Sequence, residues 1–386
     1  MADTLTPPPA SDRTVALSPR PVPVDAIEHE LTRLRQEAEQ GTDGDGCVTR
    51  ACMSNLIIFC TADESATLVA QEIGPIVELH PARVLLLNAA PGESNTPISA
   101  YVSAQCHLTG NGRQICSEHV TVRATSSAAR GLPSVARPLL IGDLPTTLWW
   151  AATPAPPLGG DLFLELADMA EQVIYDSADW AQARGAAARN LVATGQWVAG
   201  APPRQVVTDL AWRCLKPWRR LISQTLDPAM APDALQSISD VTVEYGAQGL
   251  PEACLLIGWL ASCLGWKIEA TANVSDVAAT WRLRSRSNLL HVTARGSQTA
   301  DVATQSVAIT WRANGRPTVV RFAVDGPGRL AATADDQRRP TRVLTLTPRP
   351  RAALVARQLP DLNRDTRFRN ALAVACALAV ALQAHD

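Results

Sequence analysis

The sequence predicts two layered parts: an N-terminal α/β domain with a mixed sheet and an antiparallel hairpin insert, then a C-terminal α+β domain with an antiparallel sheet and helices. Three observations lead there. Two continuous apolar runs, "NLIIFC" (55–60) and "RVLLLN" (83–88), flank the helical stretch "DESATLVAQEIGPIVELH". Strand, helix and strand over so short a span imply a parallel crossover. "CHLTGNGRQICSEHV" (106–120) folds back around Asn111-Gly112, a strong short-range hairpin signal. From about residue 238 apolar and polar residues alternate, the period of half-buried strands.

The elements follow in order. Residues 1–24 hold six prolines and no basic-then-apolar pattern, so a disordered tail is expected rather than a signal peptide. Asp25 followed by Glu28 resembles a capping box, and Ile27, Leu31 and Leu34 put one apolar stripe on the helix that follows. Beyond the hairpin come a broken helix, the strand "PTTLWW", the helix "DLFLELADMAEQ" and the buried strand "VIYDS". The break "APP" at 201–203 separates a domain over 25–200 from one over 204–386. Helical spacing over "RQVVTDLAWRCLKPWRRLISQTLDP" is interrupted at Pro217, which predicts two helices or a kink. Seven alternating stretches then read as strands, with the apolar helix "EACLLIGWLASCLG" among them and a helix carrying Phe368, Leu372, Ala375, Ala379 and Leu382 at the end.

Composition narrows the chemistry. A net charge of −2 on 386 residues gives no support for a nucleic-acid partner. The longest apolar run, 371–382, is short of the ~20 residues a membrane span needs. Nine cysteines without CxxC spacing fit reduced thiols in a cytoplasm. No GxGxxG, GxxxxGK[ST] or GxSxG follows any of the strands, so the usual phosphate and nucleophile loops are missing and no cofactor is expected.

The hairpin tempts a metal reading, but neighbouring side chains on a strand point to opposite faces. Cys106 and His107 therefore split, as do Cys116 and His119, and no tetrahedral metal site is expected. A two-residue turn sets His107 opposite Cys116; a one-residue longer turn sets Cys106 opposite Cys116, within reach of a disulfide under oxidation. "TWRLRSR" puts Arg282, Arg284 and Arg286 on one sheet face, either an anion-binding row or a solvated outer face.

Five segments in order, "CSEHVTV", "PLLIGDLPTTLWW" (138–150), "VIYDSADW" (173–180), "TDLAWRCLKPWRRLI" (208–222) and "IGWLASCLGW" (257–266), resemble the glucose-6-phosphate dehydrogenase assembly proteins of the OpcA type over roughly 48–383. The resemblance implies a non-catalytic cytoplasmic protein that binds glucose-6-phosphate dehydrogenase, promotes its assembly and activity, and so supports NADPH supply in the pentose phosphate pathway. In some relatives the effect responds to thiol redox state, which marks Cys106 and Cys116 as a possible redox pair. The chain departs from the pattern at His119, where relatives tend to have Gln, and at Lys216-Pro217-Trp218, where they tend to read Thr-Pro-Trp.

Candidate partner-contacting residues are Glu118 and His119 in the first segment, Trp149 and Trp150 at a strand end, Asp176 after a buried strand, and Trp212 and Arg219 around the Pro217 break. Ten tryptophans against four phenylalanines and three tyrosines is a skewed usage, and Trp and Arg are enriched where proteins meet. Two alternatives stay open: a sugar-phosphate-binding protein or enzyme using the strand end near Asp176, and a thiol redox sensor built on the hairpin.

Overall fold

The computed structural model describes residues 14–40, 48–50, 52–91, 98–108, 114–152, 154–180, 183–275, 277–286, 288–297, 304–313, 315–326, 328–335, 341–346 and 350–383. It divides into two compact units, Met1–Thr147 and Leu148–Asp386. The division falls earlier than the 201–203 break, because the helix preceding that break packs on helices near the C-terminus.

In the first unit the strands are β1 (Thr14–Val22), β2 (Val48–Arg50), β3 (Ser54–Cys60), β4 (Ala82–Ala90), β5 (Ser99–Leu108) and β6 (Gln114–Thr125), with helices α1 (Ile27–Gln40), α2 (Asp63–Leu79) and α3 (Leu132–Ala136). Their order is β1-β5-β6-β4-β3, with β2 against β6. β3 and β4 are parallel and joined by α2, the expected crossover, and every residue of β3 is buried. Ile27, Leu31 and Leu34 are fully buried on α1.

One expectation is corrected here. Part of the Pro-rich tail is strand β1: it pairs antiparallel with β5, and a register shift between Leu17 and Arg20 accommodates Pro19. β1 lies at the end of the sheet order, where a residue lacking an N–H is tolerated. Residues 1–13 lie outside the described residues. The antiparallel hairpin forms as expected, β5 against β6, and β6 also pairs parallel with β4 and so joins it to the rest of the sheet. Its tip, with Asn111-Gly112, lies outside the described residues, as does the Gly/Asp-rich loop after α1.

The second unit follows β7 (Thr146–Trp150) with α4 (Gly160–Asp168), β8 (Gln172–Tyr175), α5 (Arg184–Gly200), β9 (Val206–Asp209), α6 (Leu210–Cys214), α7 (Lys216–Thr225) and α8 (Ala234–Ser237). β8 and β9 are parallel. Val207, expected on a helical face, is in strand β9; the helical run starts only at Leu210. The break at Pro217 is as expected, with the proline in the first turn of α7, where its missing N–H costs no bond.

After β10 (Ile238–Tyr245) and α9 (Leu250–Leu264) come β11 (Lys267–Val274), β12 (Ala278–Arg284), β13 (Leu289–Gly296), β14 (Thr304–Ala313), β15 (Arg316–Val324), β16 (Arg329–Ala334) and β17 (Arg342–Thr345), then α10 (Arg351–Gln358) and α11 (Thr366–Val380). The sheet runs β11-β12-β13-β10-β14-β15-β16-β17. It is mixed rather than purely antiparallel: β10 and β13 are parallel, since a helix and two strands separate them in the chain. Trp281 and Leu283 are fully buried while Arg282 and Arg284 face outward beside Glu269. That is the solvated-face reading of the arginine row.

α11 packs against both α5 and α9, through small residues on each side. A methyl added at Gly258 of α9 would overlap the Ala371 carbonyl oxygen of α11, and one at Gly195 of α5 would meet Cys376 Sγ. Among the described residues no helix is long and apolar enough to cross a membrane. Gly258→Ala tests the close approach. Helix propensity would favour Ala by about 1 kcal/mol, but overlap with a backbone carbonyl costs about 1–3 kcal/mol. The expected result is a net loss of stability, read as a lower urea midpoint; an unchanged or higher midpoint would show that the helices yield.

Candidate functional site

Three groups of polar side chains stand out, one in the first unit and two in the second. In the first, Glu118 on β6 is buried, and Arg83 on β4 donates from Nε to its Oε2 at 2.7 Å. Arg83 Nη1 also donates to the Leu139 carbonyl at 2.7 Å and pairs with Glu28 of α1, while Arg35 Nε lies 3.5 Å from Glu118 Oε1. Burial opposes the Arg83 charge, but Glu118 and Glu28 outweigh it and hold its pKa above the ordinary value. His119, one residue on, points to the opposite face and is half-buried, in register with Val84 and Ser103. The β5/β6 register sets Cys106 opposite Cys116, the arrangement of the longer turn.

The second group lies at the C-terminal ends of β8 and β9. Asp209 is fully buried and accepts three donors: Ser177 N–H at 3.0 Å, Ser177 Oγ–H at 2.7 Å and Ala211 N–H at 3.0 Å. Asp176, half-buried, accepts from Ala178 N–H at 3.1 Å and so caps a short turn. Tyr175 stacks on Trp180 with centroids 5.7 Å apart, and burial, then Asp209, push its hydroxyl pKa well up. Glu252 of α9 is buried, accepting from Thr304 Oγ–H at 2.9 Å. Burial pushes its pKa up to about 8; the Thr304 bond pulls the other way, and Asp176 and Asp209 push further up.

The third group surrounds the α6–α7 break. Trp212 is buried and donates from Nε1 to Asp365 Oδ2 at 2.9 Å, and Asp365 Oδ1 caps α11 by accepting from Phe368 N–H at 2.9 Å. The Arg219 guanidinium lies 3.4 Å over the Trp212 ring, and its Nη1 donates to the Trp212 carbonyl at 2.8 Å. Burial lowers the Arg219 pKa to about 10; Asp365 pulls it up, while Arg213 and Arg367 push it down. Arg213 pairs with Asp361 at 2.8 Å and also donates to Gln358. A pocket of about 460 Å³ opens here, lined by Lys216, Arg220 and Arg367 as well as Arg219.

The structure therefore corrects several surface assignments. Glu118 is held inside by the Arg83 network. Trp149 and Trp150 are both buried: Trp150 donates to the Pro154 carbonyl at 2.8 Å and meets Phe163 edge-on at 5.0 Å, and Arg351 stands 5.3 Å from the Trp149 ring. Trp212 is core as well, fixed by Asp365. His119, Asp176 and Arg219 keep part of their surface. Of the seven candidates, the structure brings together only Trp212 and Arg219. Asp365, which accepts from Trp212, and Asp361, which pairs with the neighbouring Arg213, escape a local reading, because they lie 153 and 148 positions away from Trp212 and Arg213. Asp209 does carry a local signal, an Asp at the end of a strand just before a helix.

Comparison with known proteins bears on most of the chain. Residues 75–191 match a family profile described as the glucose-6-phosphate dehydrogenase subunit N-terminal domain, and residues 205–372 match the corresponding C-terminal domain. The chain belongs to the OpcA family. The family resemblance of the five segments is thus confirmed, and the two matched ranges leave between them the stretch that contains the 201–203 break.

Among curated relatives, a protein named "Putative OxPP cycle protein OpcA" from Nostoc punctiforme is 32% identical over 244 residues, 63% of this chain and 48% of the relative. One of the same name from Synechocystis is 29% identical over 193 residues, 50% of this chain and 38% of the relative. The chain thus spans less than half the length of these relatives. Of solved structures, an oxidoreductase from Sinorhizobium meliloti is similar at a TM-score of 0.45 and 13% identity, covering 86% of this chain and 97% of that one. At that value the similarity bears on neither activity nor cofactor.

Two outcomes follow from the buried charges. Arg83→Met removes the closer of the two cations beside Glu118, leaving Arg35 Nε at 3.5 Å as the remaining one beside that buried carboxylate. The expected cost is about 3–5 kcal/mol, read from chemical denaturation, with Arg83→Met/Glu118→Met recovering most of it. A single variant as stable as the parent would show that the network carries no such weight.

Glu252 gives a pH dependence. Below its ordinary value of 4.5 the folded and unfolded chains both hold the proton. Between 4.5 and about 8 the folded chain keeps a proton that the unfolded chain has released, so this contribution to stability falls as pH rises through the window, then levels off. The slope amounts to about 1.4 kcal/mol per pH unit for one group. Glu252→Gln keeps an acceptor for Thr304 and is expected to flatten that decline in urea midpoints; an identical profile in the variant would refute the assignment.

Proposed function

We propose that this protein is a non-catalytic assembly factor and allosteric activator of glucose-6-phosphate dehydrogenase, acting by direct protein–protein binding in the cytoplasm and so on the NADPH supply of the oxidative pentose phosphate pathway. The observation that carries the reading is family membership across both matched ranges. The relatives' printed name, an OxPP cycle protein, supports the same pathway.

The physical logic of such an activator is differential affinity. A protein that binds the active oligomeric conformation of an enzyme more tightly than the inactive one shifts the population by that difference, without supplying any reactive group. The bonding at the β8/β9 strand ends is compatible with a non-catalytic reading: Asp176 caps a turn, and Asp209 accepts from two backbone N–H groups and a hydroxyl. Partner contacts are assigned to residues that keep exposed surface, His119, Asp176 and Arg219 among them.

The test uses the purified full chain and its cognate dehydrogenase. NADPH formation is expected to rise at subsaturating glucose 6-phosphate, and the two proteins are expected to co-elute on gel filtration. An unchanged rate at every substrate level, with separate elution, would sink the reading.

A further inference from the structure

The pocket beside the α6–α7 break gathers several cations around one cavity. Arg83, Arg284 and Arg321 each pair with a carboxylate, as does Arg213, which lines this pocket and pairs with Asp361. Lys216, Arg219 and Arg220 from α7 and Arg367 from α11 line it, and none of the four has an ion-pair partner among the described residues. Asp365 also lines it and offsets one of these charges, its oxygens accepting from the Trp212 indole and the Phe368 N–H, so the cations still outnumber it.

Like charges gathered around one cavity repel, and partial burial of Arg219 makes its charge dearer still. An anion entering the cavity would relieve that repulsion and give Arg219 a counter-charge. Arg219 is already fixed for that role: stacking on Trp212 and one bond to the Trp212 carbonyl hold the guanidinium, and among the described residues its other N–H groups have no acceptor. A guanidinium fork so held suits the paired oxygens of a phosphate. Ser223 adds a hydroxyl and Trp259 an aromatic wall. The volume, about 460 Å³, is that of a small-molecule site rather than of a groove for a folded partner.

We propose that this pocket binds a phosphate dianion, carried on a small organic molecule or free. It is held by Arg219 from the Trp212 face and by Lys216, Arg220 and Arg367 around the rim. The proposal concerns the chain by itself and does not depend on its action on the dehydrogenase.

Calorimetric titration of the full chain at low ionic strength with inorganic phosphate, and separately with glucose 6-phosphate, tests it. Saturable binding of at least one probe is expected. Lys216→Gln and Arg220→Gln are each expected to weaken it about ten-fold, and with Arg367→Gln added to abolish it. These three side chains are exposed, so thermal unfolding of the ligand-free variants should match the parent and separate lost binding from lost fold. Tighter binding of the sugar phosphate marks an organic ligand, and equal binding marks free phosphate. Non-saturable heats with both probes, or a triple variant that binds as the parent does, would overturn the proposal. So would a pocket that takes only a glutamate-rich peptide.

Discussion

The carboxylate of Asp365 is the constraint on which the second unit's pocket depends. One oxygen caps α11 at Phe368 and the other receives the indole N–H of Trp212, so a single side chain fixes the start of one helix and the aromatic ring of another. Because the ring is fixed, the Arg219 guanidinium has a platform to lie on, and because that platform is buried, Arg219 is partly withdrawn from water. The cationic character of the cavity follows from helix packing, not from a loop placed to hold charge. A residue at 365 with no acceptor would leave the buried indole N–H of Trp212 without a partner.

The two charge systems of the chain obey opposite rules. In the first unit Arg83, Glu118, Glu28 and Arg35 form a closed set in which each charge meets one of opposite sign, which is what burial demands. Such a set fixes the placement of α1 against β4 and β6 within that unit. It offers nothing to a visitor, since every strong donor is spoken for. Around the α6–α7 break the cations outnumber the available acceptors, and three of them stay in water, where excess charge is affordable. Structure-keeping charge and recognition-ready charge are thus separated by burial.

Much of the fold was legible because periodicity reports burial directly. The apolar runs of β3 and β4, the stripe on α1 and the three-and-four spacing on α11 all translated into buried faces. Pairing was less legible. Alternation marks a strand without saying which neighbour it takes, so the parallel contact of β10 with β13 and the attachment of β6 to β4 could not be read from period alone. Short elements were lost to their surroundings: β9 is four buried residues in phase with the helix after it, and β16 is six residues following a glycine-rich turn. β1 was masked by prolines that an edge position tolerates.

The site was legible in kind more than in place. Tryptophan is enriched both in cores and at interfaces, so composition cannot assign Trp149, Trp150 or Trp212 to either; packing against Phe163, Pro154 and Asp365 decides for the core. Glu118 is the same problem in reverse. A lone carboxylate on a strand reads as exposed until its cation is known, and Arg83 sits 35 positions earlier. Arg219 was found because the Pro217 break makes a corner, and corners are where helices release side chains from their own ladder. What no local reading could supply was the closure of that corner by Asp365 from α11. Pockets built between elements distant in sequence are set by tertiary contacts, and their charge balance emerges only when those elements meet.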